Sequence, residues 1–144
     1  MTQEEKKLLL KDLCARLDTN LVCSIYRTDD EGVGYRDEIL HGYCKGDIWY
    51  EFYFGEDCGV CMDNVSKIKP YLFPLSSMTE EQKKEYNCLR DFVPTYHYEY
   101  GDIVEDTELY DNFTSISYLI ANHFDINGLI PMGVALDATG LNIY

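Results

Sequence analysis

The sequence predicts an α+β fold in a single domain of residues 1–144, with an antiparallel sheet of four to five strands and two to three packed helices. Two observations carry this prediction. Two threonine-led segments have the chemistry of helix starts, and the stretch between them alternates apolar and polar residues with short turns. Strands joined by such short turns form antiparallel meanders. A barrel-like closure of the sheet is an open alternative.

The two predicted helix starts have almost the same sequence, MTQEEKK at residues 1–7 and MTEEQKK at residues 78–84. Thr2 and Thr79 are the predicted N-caps, and the side chains of Glu5 and Gln82 are expected to bond back to the cap amides. The first helix is predicted to run to about residue 17, and its inward stripe is Leu9, Leu10, Leu13 and Leu17. The second is predicted to end near residue 92, before a proline.

Strand-like segments lie between these helices. Alternation predicts strands over residues 21–28, 35–43 and 48–54 and a short strand over residues 59–62. In the first of them, Leu21, Cys23 and Ile25 are expected to share one face. The apolar segment 65–74 contains two prolines, which predicts that it leaves the sheet and crosses the core.

The final third is less regular. Residues 96–100 alternate and are a candidate strand, whereas residues 102–111 are predicted to be an acidic loop. Residues 111–122 predict a third helix, with Phe113, Ile116, Leu119 and Ile120 inward. Glycines and a proline after residue 127 predict irregular coil.

Three blocks of the chain resemble a group of uncharacterised small proteins from gut bacteria and their phages and prophages. They are MTQEEKKLLLKDLCARL (1–17), IKPYLFPLSSMTEEQKKEY (68–86) and HFDINGLIPMGVALDA (123–138), of which the second is the most specific. Residues 18–65 and 87–122 do not clearly follow the pattern. The resemblance transfers no activity and no catalytic residue. It implies a context, that of an accessory protein of a mobile element.

Charge is the most informative feature for function. The chain has 12 basic and 26 acidic residues, and the stretch from Tyr96 to Tyr144 has eight acids and no lysine or arginine. This argues against direct nucleic-acid binding, which needs basic residues. It suits a protein partner with a basic surface, or simply high solubility. The predicted partner-binding residues are Tyr98, Glu99, Tyr100, Asp102, Glu105, Asp106, Glu108 and Asp111.

No catalytic motif and no cofactor site are predicted. Cys58 and Cys61 form a C-x-x-C without a second ligand pair, which favours ordinary thiols over a zinc or redox site. His123 is predicted to be buried, hydrogen-bonded and at the end of a helix. Asp125 to Gly128 read like the middle of a calcium loop, but the outer positions lack oxygen ligands, so a glycine-stabilised turn is expected.

Three functions compete at this point. The first is a non-enzymatic inhibitor or adaptor of a mobile element, anti-CRISPR-like, that covers the nucleic-acid channel of a host defence nuclease. The second is a small thiol- or metal-dependent enzyme. The third is a structural phage or accessory subunit. With neither a signal peptide nor a membrane-length apolar run in the sequence, a cytoplasmic protein is expected.

Overall fold

The computed structural model of the protein describes residues 1–29, 32–45, 50–54, 58–90, 95–99, 102–106 and 108–144. Within these ranges the chain forms three α-helices, one large sheet and a separate two-stranded ribbon, so the predicted α+β class is confirmed. The helices are α1 (Gln3–Ala15), α2 (Glu80–Arg90) and α3 (Glu108–Ala121). The strands are β1 (Val22–Asp29), β2 (Gly32–Lys45), β3 (Tyr50–Phe54), β4 (Cys58–Cys61), β5 (Ile68–Leu72), β6 (Thr95–Glu99), β7 (Asp102–Asp106) and β8 (Leu136–Asp137). Two 3₁₀ helices, Met62–Lys67 and Leu75–Ser77, precede and follow β5.

The large sheet has the strand order β4-β3-β2-β1-β5-β8. Neighbours from β4 to β5 pair antiparallel, which confirms the predicted antiparallel sheet, and the two-residue β8 joins β5 in parallel. Among the described strands, β4 and β8 stand at opposite edges of this order. The sheet is therefore open, and the barrel-like alternative is wrong.

Both predicted capping boxes are present. The Thr2 hydroxyl accepts the Glu5 amide at 3.2 Å, and the Glu5 carboxylate accepts the Thr2 amide at 2.6 Å. Thr79 and Gln82 make the same reciprocal pair at the start of α2, at 3.2 and 2.9 Å. Each box satisfies two amides that a helix start otherwise leaves without an acceptor.

One face of the sheet packs on α1 and on the C-terminal segment. The side chains of Leu21, Cys23 and Ile25 in and beside β1 are fully buried, as their alternation predicted. They meet Leu9 and Leu13 of α1, which are also fully buried. Burial of such side chains stabilises the fold by about 1.5–3 kcal/mol each. The helix stripe and the strand alternation thus supply the two halves of one core.

The prediction that residues 65–74 leave the sheet is wrong. Ile68–Leu72 form β5, which pairs with β1 and buries every second residue. Pro70 lies opposite Cys23 within this pairing. A proline is tolerated there because β8, on the other side of β5, pairs only with Tyr71 and Leu72, so no neighbour on that side needs an amide at position 70.

The predicted acidic loop over residues 102–111 is also wrong. Residues 102–106 form β7, paired with the predicted strand β6, and α3 begins at Glu108. Branched apolar residues at 103 and 104 favour a strand, and acids in the first turn of a helix are favoured by its dipole. Within α3, Ile116 is 44% exposed instead of inward, whereas Ser115 and Leu119 are buried. The buried face of α3 is therefore rotated about the helix axis relative to the predicted one.

The C-terminal segment is largely turns, as expected, but it is tied to the sheet. The Phe73 amide donates to the His123 carbonyl at 2.9 Å, and the Asp125 amide donates to the Phe73 carbonyl at 2.8 Å. Further on, the Ala138 amide donates to the Leu72 carbonyl at 2.9 Å. The Ala138 bond extends the parallel pairing of β8, and the two bonds of Phe73 hold the end of α3 beside the end of β5.

Candidate functional site

The predicted partner-binding acids follow one another along the β6–β7 ribbon and into α3. Glu99 ends β6 and Asp102 begins β7, and the register places these two residues opposite each other. Six of the residues from Glu99 to Asp111, called the acidic segment below, are acids and none is basic. By element, Tyr98 and Glu99 belong to β6, Asp102, Glu105 and Asp106 to β7, and Glu108 and Asp111 to α3, while Tyr100 lies outside the described residues.

A second surface, which the sequence analysis did not single out, is the solvent side of the β1–β2 hairpin. Strand alternation places Tyr26, Val33, Tyr35, Asp37 and Ile39 on the face opposite the core, and this set is called the tyrosine face. Val33 is 70% exposed, Tyr35 61% and Ile39 39%. An exposed run of branched and aromatic side chains is typical of a contact surface.

The rings and the carboxylate of the tyrosine face are held in place by neighbours. Tyr26 and Tyr35 are register partners whose rings meet edge-on, with centroids 5.1 Å apart. Asp37 accepts the hydroxyl of Tyr71, from β5, at 3.1 Å. Burial, and then the hydrogen bond to Asp37, raise the pKa of Tyr71 above its ordinary value, so the hydroxyl keeps its proton and remains a donor. The face is thus preorganised by contacts within the sheet.

Arg16 is the centre of a buried polar network. Its side chain is fully buried and donates to both carboxylate oxygens of Asp12, at 2.7 and 3.1 Å. The same guanidinium donates to the carbonyls of Ile120 at 3.1 Å and Phe124 at 2.7 Å. Asn127 adds a donor to Asp12 at 2.8 Å. The network joins the end of α1 to the end of α3, and its role is architectural.

His123 ends α3 in the left-handed region, at a φ of 59°. Its amide donates to Ile120 and the next amide, of Phe124, donates to Leu119, which is the Schellman arrangement. The imidazole is 7% exposed and stacks on Tyr144 with ring centroids 3.8 Å apart. The predicted burial and helix end are confirmed. The predicted side-chain hydrogen bond is wrong in part, because within the described structure Nδ1 has no partner.

The imidazole of His123 is a poor proton donor at neutral pH. Burial, followed by the charge of Arg16, lowers its pKa from the ordinary 6.5 to about 4. A buried basic group next to a fixed cation prefers its neutral form. The side chain is therefore uncharged near pH 7, which fits packing against Tyr144 better than acid–base chemistry.

The described thiols do not assemble a reactive site. Burial, and then the nearby charge of Asp12, raise the pKa of the Cys23 thiol, so it stays protonated. Cys14 and Cys88 are free thiols as well. Cys58 and Cys61 begin and end strand β4, not the helix start that a redox motif needs, and their side chains lie outside the description. Within the described ranges, no group of three or more metal-binding side chains converges.

A pocket of about 290 Å³ lies between the start of α2 and the C-terminal segment. Phe73 and Phe124 form its apolar side, and Thr79 and Gln82 on its polar side are already engaged in the capping box. The described lining residues include no titratable side chain, which gives the pocket no acid or base of its own.

Comparison with protein-family models, curated proteins and solved structures found no match to this chain. Within the described part of the chain, no helix has both the length and the apolar character needed to cross a membrane.

Proposed function

We propose that this chain is a non-enzymatic binding protein of a mobile element that uses its acidic segment to occupy a basic surface of a protein partner. The observation that supports it is the placement of the acids. Six acids and no basic residue lie between Glu99 and Asp111, along the β6–β7 ribbon and into the start of α3, in a chain of net charge −14. A run of acids without basic residues can compete with nucleic acid for a cationic groove, and the net charge speeds encounter.

The partner that best fits this chemistry is a nucleic-acid-binding protein of the host, such as a defence nuclease in the cytoplasm. Its groove is lined by lysine and arginine, because nucleic-acid affinity depends on phosphate contacts. A thiol-dependent enzyme receives less support. It would depend on Cys58 and Cys61, which lie in strand β4 and not at the helix start that a redox motif needs.

The test compares two charge-reversed variants with the original protein. In the first, Asp102, Glu105 and Asp106 of β7 become lysine. In the matched control, the exposed acids Glu4, Asp18 and Glu81 become lysine, which changes the net charge equally. Two control positions lie in the first turns of α1 and α2, where lysine opposes the helix dipole, so the control also tests whether charge reversal acts through folding.

Each tagged protein is used to capture partners from host lysate, with and without added duplex DNA. We expect the original protein and the control to retain the same nucleic-acid-binding protein, and the β7 variant to lose it. Duplex DNA should release the partner, because both compete for one groove. Equal retention by all three proteins, or retention that DNA leaves unchanged, contradicts the proposal.

A further inference from the structure

The tyrosine face differs in chemistry from the rest of this acidic surface. Its described positions are aromatic or branched apolar, with Asp37 as the carboxylate among them. Asp37 follows Tyr35 by two residues on β2, so the two lie on the same side of the sheet at about 7 Å along the strand. An exposed aromatic ring beside a fixed carboxylate is a recognition element for a flat cation.

Arginine fits this pair better than lysine does. Its guanidinium can stack on a tyrosine ring while its fork of donors reaches a carboxylate, whereas an ammonium group is a strongly hydrated point charge. The carboxylate of Asp37 is oriented by the Tyr71 hydroxyl, and Tyr35 is held edge-on against Tyr26. Little side-chain freedom is therefore lost on binding, which favours affinity.

We propose that the tyrosine face binds an arginine side chain presented by a segment of a partner protein, with the guanidinium between Tyr35 and Asp37 and apolar neighbours against Val33 and Ile39. Charge complementarity selects this occupant. A second copy of the chain brings another charge of −14, and like charges on that scale oppose close approach.

Among the described residues of β1, β2 and β5, Lys69 is the cation on the side of the tyrosine face. Ser24 of β1 lies between Lys69 and Asp37 in the strand register, and Lys69 forms no ion pair with Asp37. It leaves the carboxylate open to an external cation. The inference goes beyond the proposed function, because the tyrosine face and the acidic segment lie on different strands.

The experiment titrates the isotopically labelled protein with two short glycine–serine peptides that carry arginine or lysine at the same positions. Amide chemical shifts report both affinity and location. We expect the arginine peptide to shift the amides of Tyr26, Tyr35 and Asp37 and to bind severalfold tighter than the lysine peptide, because only the guanidinium can stack on the ring while its fork of donors reaches the carboxylate. The two peptides have equal charge, so general attraction to an acidic protein cancels.

Single substitutions show which side chains cause the preference for the arginine peptide. Tyr35→Ala and Asp37→Asn should each abolish the arginine preference, whereas Tyr43→Ala should retain it. Tyr43 is the matched control, because it is an exposed tyrosine of the same strand that packs on Phe52 outside the tyrosine face. Since Tyr35 is largely exposed, its loss should not prevent folding.

Three results overturn the inference. They are equal affinity for both peptides, shifts confined to β7 and the start of α3, and a dimer in light scattering that Tyr35→Ala converts to a monomer. The β7 charge-reversed variant separates this inference from the proposed function. If the tyrosine face acts alone, that variant keeps its arginine preference even where it has lost its partner.

Discussion

Replacing Arg16 with methionine tests whether the buried network holds the two helix ends together. The substitution keeps much of the side-chain length and removes the guanidinium. It leaves the Asp12 carboxylate, 1% exposed, with Asn127 as its remaining described donor. It also removes the donor that reaches the carbonyls of Ile120 and Phe124.

The expected cost follows from burial of the unpaired charge. Removing one partner of a buried ion pair destabilises a protein by about 3–5 kcal/mol, since the remaining charge is uncompensated. That is a large share of the roughly 5–15 kcal/mol that stabilises a domain of this kind. With a urea m-value of about 2 kcal/mol per molar, the unfolding midpoint falls by about 2 M.

Urea unfolding followed by circular dichroism measures this, with Lys11→Met as the control. Lys11 is an exposed residue of the same helix, and its loss should stay within about 0.5 kcal/mol. The double variant Asp12→Leu with Arg16→Met should be more stable than Arg16→Met alone, because no lone charge is left buried. A cost below about 1 kcal/mol for Arg16→Met would falsify the argument.

The other predictions concern single side chains. His123 has a folded-state pKa of about 4 against 6.5 when unfolded, so the unfolded chain binds the proton first as the pH falls. Its contribution is complete above pH 6.5 and is lost towards pH 4, by up to about 3 kcal/mol. Unfolding of the original protein and of His123→Phe across this range should show a smaller slope for the variant; equal slopes would contradict the assignment. Thr79→Ala and Thr2→Ala each remove a helix cap, so each should lower the free energy of unfolding in urea by about 1 kcal/mol. A change within error for both variants would mean that the capping boxes do not stabilise the helices. Tyr144→Phe keeps the ring stack but loses a 2.6 Å hydrogen bond to the β5 backbone, so a cost of about 1 kcal/mol is expected, and an unchanged thermal midpoint would show that water replaces the bond.

The sequence correctly predicted those helices and strands that are determined by residues close together in the chain. The two capping boxes are explicit in residues 2–5 and 79–82, and both formed. The alternation of Leu21, Cys23 and Ile25 identified the core face of β1. Such signals depend on neighbours in sequence, which is why a single chain suffices to read them.

Two of the wrong predictions, for residues 65–74 and for the inward face of α3, depended on partners distant in sequence. Every second residue of 68–72 is buried in the structure, but the proline at position 70 argued against a strand in the sequence. Whether a strand tolerates this proline depends on which residues of β5 pair with β8. In α3, the inward face was set by packing against α2 and not by apolar content, so a serine at 115 is buried while Ile116 is exposed.

The buried network was readable in part from α1. Positions 9, 12, 13 and 16 form one helical stripe, and two of them are charged, an aspartate and an arginine four residues apart. Charged residues on a core-facing stripe predict a buried pair. Their acceptors on the far side, the carbonyls of Ile120 and Phe124, could not be predicted, because backbone carbonyls carry no sequence signal.

Stability and the proposed binding surfaces occupy separate parts of this fold. The Arg16 network joins the ends of α1 and α3, whereas Tyr35 and Asp37 project from the opposite side of the sheet. Distant sites without shared partners contribute additively to stability. Substitutions at the tyrosine face or in β7 should therefore alter binding with little change in unfolding, and Arg16→Met should lower stability while the folded fraction still binds. This separation lets each surface be tested without unfolding the protein that carries it.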